Sequence, residues 1–263
     1  MRPLAVGERG VAACSGGHSF DRAREGYYNL LLSNAAGTHG DNREMLEARR
    51  RFLDTGAYLP LANKVAELVT EGFFAGGALL DIGCGEGYYT SIVSAALNAA
   101  GKSASVYGFD ISKDGVKLTA KRDKGLRLAV ASAYKMPFAN ESFDAAINVF
   151  SPLALEETVR ILRHGGRFVM AVPDVNHLFG LKKALYSTPY KNELQSSELK
   201  GLELIRAERV AYRLDLKSKE EIFSLFMMTP YAYRTPPESR AKLLGMDRLE
   251  TEVEFVVFLY EKP

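Results

Sequence analysis

The residues best placed to do chemistry lie in one stretch, Leu79-Leu80-Asp81-Ile82-Gly83-Cys84-Gly85-Glu86-Gly87. A short apolar run leads into a turn rich in glycine, and a helical composition follows. Glycine permits positive φ and lets the backbone come close to a ligand. A dinucleotide site spells its turn G-x-G-x-x-G and grips a pyrophosphate at the helix N-terminus. This turn reads G-x-G-x-G, with Asp81 two residues ahead of it. A carboxylate there repels a pyrophosphate but suits an ammonium group. S-adenosylmethionine offers an ammonium and a sulfonium and has no phosphate. A second acid, Asp110, closes the run Val106-Tyr107-Gly108-Phe109-Asp110. An acid at the end of a second strand can accept hydrogen bonds from both ribose hydroxyls, although such an Asp also serves as a helix N-cap. Asp110 follows Asp81 by twenty-nine residues, room for a full helix, whereas a dehydrogenase places its acid about 20 residues after the glycine fingerprint. A third segment, Ala131-Ser132-Ala133-Tyr134, offers side chains to flank an adenine ring.

Elements that would hold these residues follow from periodicity. From Gly77 onward, strands alternate with helices: strands over Ala78–Ile82, Ser105–Phe109, Leu126–Ala131, Phe143–Phe150 and Arg167–Val172, and helices over Tyr89–Ala100, Lys113–Lys121 and Leu155–Leu162. Alternation of this kind predicts βαβ units in a parallel sheet covered on both faces. Gly165-Gly166 reads as a left-handed cap ending the last of these helices. Ahead of the alternation lie helices over 43–55 and from Pro60, the latter carrying Leu61, Val65, Leu68, Val69 and Phe73, and Asn34–Asp41 reads as a loop. Beyond it, Leu178–Tyr186, Glu220–Phe226 and Glu238–Leu244 read as helices. Leu202–Leu216 and Thr251–Tyr260 read as a strand pair on a sheet edge.

Composition limits the remaining choices. The chain has 263 residues, 47% apolar and 25% charged, enough to bury roughly 70–75% of its unfolded surface without disulfides. No apolar run reaches the length of about 18 residues that spans a bilayer, and the polar, glycine-interrupted start does not read as a secretory signal. Two distant cysteines, Cys14 and Cys84, predict reduced thiols and a cytoplasmic protein. The net charge of +2 does not announce a nucleic-acid binder. Local balance does more: Lys102 to Arg127 holds seven basic and three acidic residues, Thr158 to Lys183 five and one, and Arg49-Arg50-Arg51 is a basic run. Such patches can hold a phosphate backbone, although a solvated helix face has the same composition.

The order of glycine turn, strand-end acid and third-strand segment resembles a class I S-adenosylmethionine-dependent methyltransferase, a Rossmann-like doubly wound α/β sheet, over residues 75 to about 175. The stretch from His18-Ser19-Phe20-Asp21 through Glu25-Gly26-Tyr27 narrows this. So do Asp41–Met45, Ala48–Tyr58, Asp81–Tyr89, Asn148-Val149-Phe150-Ser151-Pro152 and Pro173–His177. Together they resemble the large-subunit (23S) rRNA guanine-N1 methyltransferases, a family with members that confer resistance to tylosin-type macrolides. The resemblance implies that the chain uses S-adenosylmethionine to methylate N1 of a guanine in a 23S rRNA hairpin, as a homodimer and without a membrane. It implies cofactor contacts at Tyr58, Gly85, Glu86 and His177, which join Asp81, Gly83 and Asp110 from the general pattern. Tyr58 also fits a hydrophobic staple, and His177 a surface loop. For the reaction, Asn148 and Phe150 are placed where the fourth strand opens onto the methyl, Asn148 at the base edge and Phe150 stacked on the base or packed in the core. No general base stands out. The family opens with a zinc ribbon, of which Cys14 and His18 match the second half, while residues 1–13 hold no cysteine. Tetrahedral zinc needs four ligands, so a degenerate ribbon over residues 1–36 without metal is expected, an upstream cysteine pair being the alternative. Residues 37–263 form the methyltransferase domain, with 37–75 as its helical lead-in. The rival readings are a small-molecule methyltransferase of the same fold and a non-catalytic cofactor-binding protein.

Overall fold

The computed structural model describes residues 4–7, 10–31 and 42–263; the expected loop over Asn34–Asp41 falls outside them. At the start, β1 (Leu4–Val6), β2 (Ala12–Cys14) and β3 (Ser19–Phe20) form a small antiparallel sheet. Next, β4 (Tyr28–Asn29) leaves that sheet and pairs in parallel with a strand of the large one. Two helices follow. Asn42 caps α1 (Arg43–Asp54) by accepting from the Met45 N–H at 2.9 Å. Pro60 sits in the first turn of α2 (Leu59–Thr70), where its missing N–H costs nothing.

The large sheet begins at β5 (Ala78–Ile82), and α3 (Tyr88–Ala99), β6 (Ser105–Asp110), α4 (Lys113–Arg122), β7 (Arg127–Val130), β8 (Phe143–Val149), α5 (Leu155–Ile161) and β9 (Leu162–Pro173) alternate after it. The tail adds α6 (Phe179–Leu185), β10 (Glu203–Leu216), α7 (Lys219–Met227), α8 (Pro237–Leu244) and β11 (Leu249–Glu261). Spatial order is β10-β11-β9-β8-β5-β6-β7-β4. Strands β4 to β9 run parallel, and β11 lies antiparallel between β9 and β10. Side chains alternate in face along each strand. On β11, Phe255, Val257 and Leu259 enter the core on one side of the sheet and Val256, Phe258 and Tyr260 the core on the other. Burial on both faces explains the near-continuous apolar runs of the strands. No helix among the described residues is long and apolar enough to cross a membrane.

The glycine pair is a correction. Gly165-Gly166 does not cap a helix: α5 ends at Ile161, and Leu162 is already extended. Gly165 has φ +73, as a cap would, but its N–H donates to the Lys262 carbonyl at 2.7 Å, and Lys262 N–H donates back to Gly166 at 2.9 Å. The pair irregularly lengthens β9 so that the chain end can pair with it. The tail pair also differs in detail, because β11 lies inside the sheet and β10 alone forms that edge.

Candidate active site

All parallel strands end on one side of the sheet, where ligands of open α/β folds bind. Asp81 and Ile82 of β5 pair with Gly108 and Phe109 of β6, so the turn after β5 folds over the end of β6. Phe109 carbonyl accepts from the N–H groups of Gly83 and Cys84, both at 2.9 Å. Gly83 is obligatory here. Its φ is +81, and a Cβ on it would stand 2.1 Å from Ser151 Oγ. Gly85 has φ +55, and its N–H donates to Asp110 Oδ2 at 2.9 Å. Asp110 Oδ1 accepts from Ser112 N–H at 2.8 Å. Asp110 therefore fixes the turn from both of its oxygens. The N-cap of α4 is Ser112, not Asp110.

Asp81 is 3% exposed. Thr90 Oγ1 donates to its Oδ2 at 2.5 Å, and no cation pairs with it among the described residues. Burial pushes its carboxyl up to about 7, against the Thr90 hydrogen bond and helped by the nearby Asp110 charge. This is the environment of a carboxylate that lacks a counter-charge.

Tyr58 and His177, 119 residues apart, meet in the same region. Tyr58 Oη lies 3.4 Å from His177 Nε2, and both residues are buried. His177 Nδ1 accepts from Glu254 N–H at 3.3 Å, which leaves Nε2 to carry the proton and donate to Tyr58. Burial lowers the imidazole to about 3, assisted by the Lys182 charge, so His177 is neutral at physiological pH and is no surface histidine. Phe255 packs against both rings, at centroid distances of 5.1 and 4.5 Å. Phe150 continues this wall, 5.3 Å from Phe255 and 6.2 Å from Tyr89. It is 42% exposed, so simple core packing does not describe it. Its φ of +58 costs a non-glycine residue about 1–2 kcal/mol, a strain typical of functional sites. Asn148 is buried, and its Nδ2 donates to Pro152 carbonyl at 3.4 Å, bracing the turn that presents Phe150.

Glu86 sits apart from this group. Its Oε2 accepts from Arg122 Nη2 at 2.5 Å, and Arg122 also donates to Asp54 at 2.8 Å. Burial raises the Glu86 carboxyl while Arg122 pulls it back down. Glu86 Oε1 and Tyr89 Oη are buried without a hydrogen-bond partner.

A nucleoside bearing an ammonium fits what is present. The pieces are a buried carboxylate without a cation, a turn from which a Cβ is excluded, a strand-end carboxylate and orphaned polar atoms. Sequence reading missed Thr90, Tyr89, Phe255 and Arg122. The first two immediately follow the glycine turn and were within reach of local inspection; the other two are brought in by long-range packing alone. In the N-terminal sheet, Cys14 Sγ lies 3.4 Å from His18 Nδ1, and these hydrogen bonds lower the thiol to about 7. No cluster of three or more metal-ligating side chains occurs among the described residues.

Comparison with known proteins fits this architecture. A family model described as a methyltransferase domain matches residues 80–170. The solved structure of BH2331 from Bacillus halodurans superposes with a TM-score of 0.53 at 17% identity, covering 76% of this chain and 99% of that one, which supports the fold. A Bacillus subtilis protein, YxjB, named for 23S rRNA (guanine-N1) methylation, is 30% identical over 250 residues, 92% of this chain and 88% of its own. The 23S rRNA (guanine(748)-N(1))-methyltransferase of Streptomyces fradiae is 29% identical over 266 residues, 97% of this chain and 92% of its own. By these full-length likenesses, on the fold and glycine turn described above, the chain belongs to the 23S rRNA guanine-N1 methyltransferase family and is an S-adenosylmethionine-dependent enzyme.

Proposed function

We propose that the protein transfers the methyl group of S-adenosylmethionine to N1 of a hairpin-loop guanine in 23S rRNA. The observation that carries the cofactor half is Asp81, a buried carboxylate without a cation under a glycine turn. In this reading Asp81 receives the cofactor ammonium, the Gly83–Gly85 turn lies along the methionine chain, and Asp110 accepts from the ribose hydroxyls. Tyr58 and His177 bound the methionine end. Glu86, held by Arg122, presents its unpaired Oε1 and its backbone at the turn. The cofactor supplies an electrophilic methyl when bound. The chain's own contribution is to hold that methyl and the target base in line and to exclude water. The RNA half rests on the family and on the basic stretch from Lys102 to Arg127; in the stretch from Thr158 to Lys183, Arg160, Arg163 and Arg167 are ion-paired and Lys182 is buried. A base inside a hairpin must be turned out of its stack to be reached, and the exposed Phe150 ring is the surface on which it stacks, with Asn148 holding that ring in place.

Labelled methyl transfer separates the readings. Label is expected in 23S rRNA transcripts. Label in small molecules with none in RNA would favour the small-molecule rival, and cofactor binding without turnover the non-catalytic one. Phe150→Ala should lose about 1–3 kcal/mol of base stacking, seen as a raised KM for RNA with cofactor affinity unchanged; weakened cofactor binding with intact RNA binding would contradict the stacking role.

The finer expectations belong to the same proposal. The enzyme acts in the cytoplasm, modification of its target confers macrolide resistance, and it works as a homodimer forming an RNA cleft. Light scattering should return twice the 29.0 kDa chain mass; the mass of one chain would refute the dimer.

A further inference from the structure

The sheet edge that carries Asp81 and Phe150 continues to the end of β9, where a cavity of about 390 Å³ opens. That size lies within the range of small-ligand sites. Val172 and Pro173 at the β9 terminus line it from the sheet, and the segment after α6 lines it with Tyr190, Lys191, Asn192, Glu193 and Gln195, so that a second charged group, the Lys191 ammonium, faces the same space as Glu193. This segment is fixed from behind. Lys182 of α6 is fully buried, and its Nζ donates to the Tyr190 carbonyl at 3.1 Å and to Asn192 Oδ1 at 2.6 Å. The same ammonium lies 4.2 Å from the Tyr190 ring centroid and 5.5 Å from that of Tyr231. No carboxylate pairs with it among the described residues. Asn192 Nδ2 donates to the carbonyls of Asp174 and His177, at 2.9 and 3.1 Å. The cavity wall is thus tied to the backbone of His177, whose ring belongs to the aromatic wall that ends at Phe150. A buried ammonium is costly, and its hydrogen bonds here hold a loop in one shape.

We propose that this cavity takes the Watson–Crick edge of the target guanine and that Glu193 is the base that removes its N1 proton. The proposal rests on the RNA reading above. Guanine presents N1–H and an exocyclic N2–H side by side, two parallel donors that one carboxylate accepts together. The carbonyl beside them matches the Gln195 amide. Tyr190 is 54% exposed, so part of its ring is open for stacking. A base is needed because N1 carries a proton and its electron pair is delocalised into the ring. When the proton passes to a Glu193 oxygen, the electron pair of the broken N1–H bond stays on N1 and forms the N1–carbon bond. The carbon–sulfur bond breaks, its electrons stay on sulfur, and the sulfonium becomes a neutral thioether. Glu193 then returns the proton to water. The other carboxylates at this edge have prior duties: Asp81 faces the glycine turn, Asp110 holds Gly85 and Ser112, and Asp174 pairs with Arg209.

Glu193→Gln in the full chain tests this with an rRNA hairpin transcript, between about pH 6 and pH 9. Loss of a general base costs roughly 10²–10⁴-fold. The variant should therefore fall at least about 100-fold below wild type at the acid end, then recover with rising pH as hydroxide replaces the side chain. Cofactor affinity by calorimetry should be unchanged, and Glu193→Asp should keep the wild-type pH profile at reduced rate. A defect of constant size across the pH range, or no defect while the wild type methylates RNA, would overturn the proposal and leave the RNA reading intact. A wild-type enzyme that methylates no RNA would overturn both.

Discussion

Asp81→Asn should bind S-adenosylmethionine on the order of 10³-fold more weakly than wild type and yet melt at a higher temperature without it at pH 8. Both effects have one cause. In the cofactor-free protein, burial raises the Asp81 carboxyl to about 7, against about 3.9 in an unfolded chain. A carboxyl raised on folding contributes stability that is fully present below pH 3.9 and is lost as the pH rises through 7. Three pH units correspond to about 4 kcal/mol of lost stability above that window. Asparagine removes the titration, although its amide gives back about 1–3 kcal/mol if it finds no acceptor. A net gain of a few degrees at pH 8, absent at pH 5, should appear in thermal melts at the two pH values. Binding has the opposite sign. The cofactor ammonium stabilises the charged carboxylate, so affinity should tighten up to tenfold per unit from about pH 5 to pH 7 and then level off. Breaking a buried ion pair by removing one partner costs about 3–5 kcal/mol. Calorimetry that finds the Asn variant binding as tightly as wild type, or a wild-type affinity indifferent to pH, would refute the ammonium assignment.

Asp110→Ala should weaken the cofactor by about 2–4 kcal/mol, roughly 30- to 1,000-fold, since hydrogen bonds to a charged acceptor are worth about 1.5–3 kcal/mol each. Two losses combine. The ribose hydroxyls lose their acceptor, and the N–H groups of Gly85 and Ser112, at 2.9 and 2.8 Å, lose theirs. An analogue without the two ribose hydroxyls separates them. It should bind wild type poorly and lose less than the parent cofactor does on going to the variant, because only the turn contribution remains. Equal losses for the two ligands would show that Asp110 supports the turn and does not touch the ribose.

Much of this was legible in the sequence, for local reasons. The alternation of apolar runs and helical stretches gave β5, α3, β6 and α4 to within a residue or so, because burial on both faces and glycine punctuation leave local marks. Asp81, Gly83, Gly85 and Asp110 were legible for the same reason: they are neighbours of the turn that needs them. Pairing across distance leaves no such mark. Gly165 carries the positive φ of a helix cap, and only the approach of Lys262 makes it part of β9. Likewise, the two-residue β4 is too short to announce itself until it meets β7. His177 and Tyr58 could be singled out by resemblance, but their burial and mutual contact depend on Phe255, delivered by the last strand. Asn192 and the cavity beyond it lie after the matched domain, on a stretch without periodicity, where composition carries little information, and nothing local marks the Lys182 of the preceding helix as its partner.

The most direct test of the central claim is reverse transcription across 23S rRNA incubated with the protein and S-adenosylmethionine. Methylation at N1 blocks the Watson–Crick edge, so extension should stop one nucleotide before a single hairpin guanine, only when the cofactor is present, and the stop should vanish with Asp81→Asn. Full read-through with wild-type protein, alongside labelled methyl in small molecules alone, would contradict it.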